Sequence, residues 1–220
     1  MNDTLRIDRA AGALARADGR VYDTRAREWV ARPRSATVPA VGPAAAEPVS
    51  AVVALRWLAR EARVPMRVPV GVIGPREATP DQLAAAEAVG AGLADLGLPV
   101  ICGGRGGVMQ AVCEGVQRAG GLSIGLLPEA DPELANPHAR LVIATGIGEA
   151  RNALIARAAL CLVAIGDSFG TLSEVALGRQ FGKHVIGLAG AARVDGVAHV
   201  GSVEAALDEV ARVALGLGSD

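Results

Sequence analysis

Large aromatic side chains are scarce in this chain of 220 residues, which has two Trp, one Tyr and two Phe. With 51% of its residues hydrophobic, its core must be assembled from Ala, Val, Leu and Ile. Small side chains of that kind suit helices packed closely on a parallel sheet. Cysteine is sparse too. Cys102, Cys113 and Cys161 make an odd number with no C-x-x-C spacing, which argues against a disulfide framework or a zinc site. No excess of charge of either sign exists: 22 basic residues against 23 acidic ones leave a formal charge of −1. Bulk electrostatics therefore direct the chain to neither nucleic acid nor a membrane. Just one of the basic residues is lysine, Lys183, which reads as composition bias rather than function. No apolar run approaches the length of a membrane span, and Asp3, Arg6, Asp8 and Arg9 stand where a signal peptide would need an apolar core. The expectation is a cytoplasmic protein with no membrane and no nucleic-acid partner.

The length suits one α/β domain with some decoration and is short for two domains of ordinary size. Residues 1–32 alternate loosely, and Asp18-Gly19 between ALARA and RVYD is a hairpin signal, because both turn positions tolerate positive φ. These residues predict a small β-hairpin appendage. Residues 33–48 hold Pro33, Pro39, Pro43 and Pro48 among Ala and Gly, the texture of an extended linker. Pro48 can also open a helix that places Val52, Leu55 and Leu58 on one side.

From residue 49 to 220 the chain reads as one Rossmann-like domain. The runs VPVGVIG, PVIC, SIGLL, RLVIA, ALCLVAI and HVIGL are short, apolar and bounded by Gly or Pro, as buried parallel strands are. Between them lie segments of helical spacing. Thr79-Pro80-Asp81-Gln82 is a capping box; Leu83, Ala86, Val89, Leu93 and Leu96 follow on one face, and Gly97 ends the helix. Further helices fit residues 108–119, 150–159, 171–181 and 202–215. The alternation predicts an α/β fold with a doubly wound parallel sheet, because parallel neighbours need right-handed crossovers.

In such a sheet a ligand lies at the carboxyl ends of the strands, where Gly-rich turns lead into helices. Four turns qualify: Gly74-Pro75-Arg76, CGGRGGVMQ at 102–110, TGIGEARN at 145–152, and GDSFGTLSE at 166–174. In the second, Gly103, Gly104, Gly106 and Gly107 surround Arg105, either cradling an anion at a helix start or merely making a tight turn. Arg151 falls in the first turn of its helix, where a cation opposes the macrodipole. It points to an anionic partner, either a ligand or a carboxylate across the crevice; a surface pair with Glu149 is the plainer alternative. Thr171 and Glu174 fit a T-x-x-E capping box, which leaves Gly166, Ser168 and Gly170 unexplained. Asp167 beside a phosphate would repel it unless it points to solvent. His138, His184 and His199 share no ligand spacing and read as structural, as do Cys102 and Cys161 beside the strands.

Residues 68–188 carry GGRGGVM, G-x-GEARN and GTLSE in that order, and in this the chain resembles the LOG-like (Lonely Guy) Rossmann proteins, with signatures GGGxxGLMG and PGGxGTxxE. Within them it most resembles the molybdenum-cofactor carrier proteins and their uncharacterised bacterial relatives. For the enzymes of that family, the resemblance implies hydrolysis of the N-glycosidic bond of a nucleoside 5′-monophosphate, with the functional arginine and glutamate falling on Arg151 and Glu174. It places the phosphate cradle on Gly166, Asp167, Ser168, Phe169, Gly170 and Thr171. The facing wall falls on Gly103, Gly104, Arg105, Gly106, Gly107 and Met109, with Gly74 beside it. A homodimer or homotetramer is implied as well.

The chain departs from these signatures where Gly166, Asp167 and Ser168 replace Pro-Gly-Gly, where Asn152 follows the arginine in place of a basic residue, and where Gln110 replaces a glycine. Two functions stay open. One is binding, with possible hydrolysis, of a phosphorylated nucleotide-like ligand; the other is non-enzymatic carriage of molybdenum cofactor, whose pterin carries a phosphate. Neither requires a resident cofactor or a protein metal site, since the metal would arrive on the carried ligand.

Overall fold

The computed structural model describes residues 4–31, 46–64 and 66–217. It divides into two compact units, residues 1–65 with 211–220, and residues 66–210. In the first unit, β1 (Leu5–Asp8), β2 (Ala13–Arg16), β3 (Val21–Asp23), β4 (Glu28–Val30) and β5 (Glu47–Val49) form an antiparallel sheet in the order β4-β3-β2-β1-β5. The Asp18-Gly19 turn does join β2 to β3: Gly19 takes φ +85°, and the Arg20 amide donates to Asp18 Oδ1 at 3.0 Å. The appendage is thus a five-stranded sheet rather than a lone hairpin.

Pro48 lies in β5, paired with Arg6, and does not begin a helix. Ser50 caps α1 (Ala51–Arg60) instead, its hydroxyl accepting from the Val53 amide at 3.3 Å. Pro48 lies two residues before that cap, and its place is set by its pairing in the sheet. Helix α1 belongs to the first unit, so the parallel-sheet unit starts at residue 66 and not at 49. Residues 33–45 of the expected linker lie outside the described residues.

The second unit holds seven strands, β6 (Val70–Ile73), β7 (Val100–Cys102), β8 (Ser123–Leu127), β9 (Leu141–Ala144), β10 (Leu162–Ile165), β11 (Val185–Leu188) and β12 (Val197–His199). Every pairing is parallel, in the order β12-β11-β10-β6-β7-β8-β9. The six apolar runs all become strands, and β12 is an addition. β6 and β10 are fully buried along their length, which is why they carry unbroken apolar sequence rather than an alternation.

The helices between these strands are α2 (Pro80–Asp95), α3 (Val108–Arg118), α4 (Arg151–Ala158) and α5 (Phe169–Gln180), and α6 (Val203–Ala214) follows β12. Thr79 and Gln82 form the expected capping box of α2, and Ala86, Val89, Leu93 and Leu96 are buried. Leu83 is the exception at 36% exposed. Ile73, Ile101, Leu126, Ile155, Leu162, Val175 and Val185 share one core cluster that ties five strands to α4 and α5. From β6 the chain builds β7 to β9 on one side, and later β10 to β12 on the other. Chain order therefore reverses between β6 and β10, and a crevice opens at their carboxyl ends.

Candidate functional site

A cleft of about 120 Å³ occupies that crevice, and all four Gly-rich turns contribute to it. Ile73, Gly74 and Arg76 follow β6; Gly103, Arg105 and Met109 follow β7. Glu149, Arg151 and Asn152 come from the start of α4, and Ser168, Gly170, Thr171 and Glu174 from the turn after β10. Arg76, Glu149 and Asn152 belong to turns that the sequence marks, but their residue types alone gave no reason to single them out as lining the cleft.

Three residues of the expected cradle and three of the facing wall do not line it. Gly104 and Gly166 serve packing: a Cβ on the first would stand 3.0 Å from Leu127 Cδ2, and one on the second 2.5 Å from Gln82 Nε2. Gly107, with φ +67°, lets the 103–107 turn rest on the carbonyls of Pro75 and Arg76, where any Cβ would collide. Gly106 faces open space beyond Arg76 Cγ at 3.9 Å. Asp167 is exposed, which removes the like-charge problem it posed, and Phe169 is 95% exposed.

The helix start after β10 differs from the T-x-x-E expectation. Ser168 is the cap of α5, its Oγ accepting from the Thr171 amide at 3.1 Å. Thr171 therefore sits at the third helical position, its hydroxyl 2.8 Å from Ser168 Oγ. Glu174 lies one turn further on, buried rather than capping.

Arg151 is the first residue of α4 and 5% exposed. Its Nη1 donates to Asn152 Oδ1 and, at 3.4 Å, to Glu174 Oε1. Glu149 is thus not its partner in a surface pair. Gly103 makes the room: a Cβ there would stand 2.5 Å from Arg151 Nη2 and 2.6 Å from Met109 Sδ. Asn152 Nδ2 in turn donates to Ser173 Oγ at 3.2 Å, and Ser173 Oγ donates to the Gly170 carbonyl at 2.7 Å. This relay locks α4 to the first turn of α5.

Arg151 Nε is buried with no hydrogen-bond partner. A buried donor left unpaired costs roughly 1–3 kcal/mol, more when charged. Arg105 pairs with Glu129 and lines the same cleft as Arg76. Burial, then the nearby Arg76, holds the Arg105 guanidinium below its ordinary value, Glu149 acting against them. Three arginines and two carboxylates thus line about 120 Å³ of cleft, and Arg105 already has Glu129 as its partner.

Burial pushes the Glu174 carboxyl up to about 7; Arg151 opposes the shift and Glu149 adds to it. Below that pH the neutral acid leaves the Arg151 charge to a ligand, and above it the carboxylate competes for the same cation. Sulfate, whose charge is constant from pH 6 to 8, should therefore bind more weakly at pH 8 than at pH 6. Glu174→Gln should flatten that difference in a calorimetric titration, and an equal pH dependence in both proteins would contradict the assignment.

No helix among the described residues is long and apolar enough to cross a membrane. The molybdenum cofactor binding protein from Rippkaea orientalis superposes with a TM-score of 0.62 at 33% identity, covering 66% of this chain and 96% of that one. The molybdenum cofactor carrier protein of Chlamydomonas reinhardtii gives 0.61 at 31% identity, covering 67% and 98%. An uncharacterized protein of Archaeoglobus fulgidus is 39% identical over 119 residues, 54% of this chain and 78% of that protein. The family model described as the SLOG cluster4 family matches residues 67–214, more than half of the chain and nearly all of the parallel-sheet unit, so the chain belongs to the SLOG cluster4 family.

Proposed function

We propose that the chain binds a small phosphorylated ligand by its phosphate in the cleft between β6 and β10, and that it acts as a carrier of molybdenum cofactor or of a related phosphorylated heterocycle. The observation that carries this reading is one small cleft lined at once by Arg76, Arg105 and the buried Arg151. A phosphate ester supplies several acceptor oxygens to such a cluster at once. The similarity to two molybdenum-cofactor proteins over nearly their whole length supports the choice of cargo. The carried group would bring its own metal, so the residues assigned here hold the phosphate and exclude water from it.

Glu174 favours a second reading, hydrolysis of the N-glycosidic bond of a nucleoside 5′-monophosphate. A carboxyl near pH 7 can orient water and stabilise cationic character on the ribose as the base departs. Arg151 would anchor the substrate.

Arg151→Ala should weaken binding of a nucleoside 5′-monophosphate or of inorganic phosphate by at least about tenfold, the loss expected for a charge-assisted bond. Unchanged affinity would remove Arg151 from the site. Release of ribose 5-phosphate from a panel of nucleoside 5′-monophosphates, followed by mass spectrometry, separates the two readings. Turnover that Glu174→Ala abolishes would establish the hydrolase; binding without turnover would establish the carrier.

A further inference from the structure

The cleft is too small for the ligand it would anchor. About 120 Å³ accommodates an oxyanion, whereas sites that enclose a whole small molecule run from roughly 300 to 1,000 Å³. A second hollow of about 560 Å³ adjoins it, and Arg76 lines both. Its walls are the first two turns of α2 and α3, with Leu83, Ala84 and Glu87 on one side and Gln110, Ala111 and Glu114 on the other. The two helices touch backbone to backbone where Gly115 meets the Glu87 carbonyl, which gives the groove a rigid back.

Two sequence features without a role in the cleft belong to this groove. Leu83 carries the apolar spacing of the core face of α2 yet stays 36% exposed. Gln110 stands where the resembled signature has glycine, and its side chain lines the hollow. Glu87 and Glu114 both pair with Arg118, the second at 2.6 Å. A carboxylate offers acceptor oxygens and no donor.

We infer that this groove is the subsite for the ring of the ligand, a planar heterocycle with N–H donors along one edge whose phosphate lies in the cleft. The inference rests on the anion-binding reading of the cleft and adds to it the class of ligand. Leu83, Ala84 and Ala111 supply apolar surface for the ring face, and the Glu114 and Glu87 carboxylates with the Gln110 amide read its edge. Arg76 spans the joint between ring and phosphate. The 2-amino-4-oxopyrimidine edge, common to guanine and to pterins, presents an amino and a ring N–H side by side to one carboxylate. Adenine lacks that pair.

The test is calorimetric titration of wild type, Ala84→Trp and Glu114→Gln with guanosine 5′-monophosphate, neopterin monophosphate, adenosine 5′-monophosphate and inorganic phosphate. Ala84 is exposed on α2, so tryptophan there fills the groove without entering the core. Ala84→Trp should weaken the guanine or pterin ligand at least about tenfold and leave inorganic phosphate within about twofold, because only the ring loses its seat. Glu114→Gln should shrink the preference for those ligands over the adenine nucleotide, and the tighter of the guanine and pterin arms assigns the source of the ring. Equal affinity of wild type and Ala84→Trp for the ring-bearing ligands, with phosphate still bound, would overturn the groove and spare the cleft. Failure of wild type to bind even inorganic phosphate would overturn the cleft and the groove together.

Discussion

The buried contact between Arg151 and Glu174 is the constraint around which the parallel-sheet unit is arranged. A charge pair with both members about nine-tenths shielded from water is costly to desolvate, and one 3.4 Å bond does not offset that cost. The surrounding sequence makes the pair tolerable. Gly103 vacates the space that the guanidinium fills, Asn152 accepts from it, and Ser173 holds Asn152. Because Arg151 begins α4 and Glu174 lies in α5, the pair also ties together the two helices that flank the crevice. Arg151 also lines the cleft together with Arg76 and Arg105, and that shared lining is the part available to a ligand.

Much of the fold was legible because strong periodicity and turn chemistry agreed. Six apolar runs bounded by Gly or Pro became six parallel strands, and the Thr79 capping box and the Asp18-Gly19 turn stand where their residues require. The extent of the N-terminal sheet was less legible. β3, β4 and β5 are three residues each, too short to show an alternation, and they are held by partners distant in sequence, as β5 is by β1. Pro48 misled for the same reason: its edge-strand place beside Arg6 depends on a partner 42 positions away.

The site was legible as a set of turns and less so as a set of contacts. All four Gly-rich turns meet at one rim, but spacing does not distinguish a glycine that faces a ligand from one that admits a neighbouring side chain. Gly104 and Gly166 are of the second kind, Gly107 admits the Pro75 and Arg76 carbonyls, and Gly170 is open to the cleft. The T-x-x-E pattern matched a cap by coincidence, since Ser168 three residues before Thr171 makes the stronger one. The changes from the resembled signatures now have places. Asn152 supports Arg151, Asp167 turns to solvent, and Gln110 faces the hollow between α2 and α3.

The central claim is that an oxyanion sits among Arg76, Arg105 and Arg151 at the carboxyl ends of β6 and β10. Anomalous diffraction from crystals soaked in tungstate, a tetrahedral dianion with a strong tungsten signal, tests it most directly. The account predicts one dominant peak among Arg76, Arg105 and Arg151, placed so that the tungstate oxygens reach the Arg151 guanidinium, and lost in crystals of Arg151→Ala. A dominant peak elsewhere, or one in the cleft that survives the substitution, would contradict it.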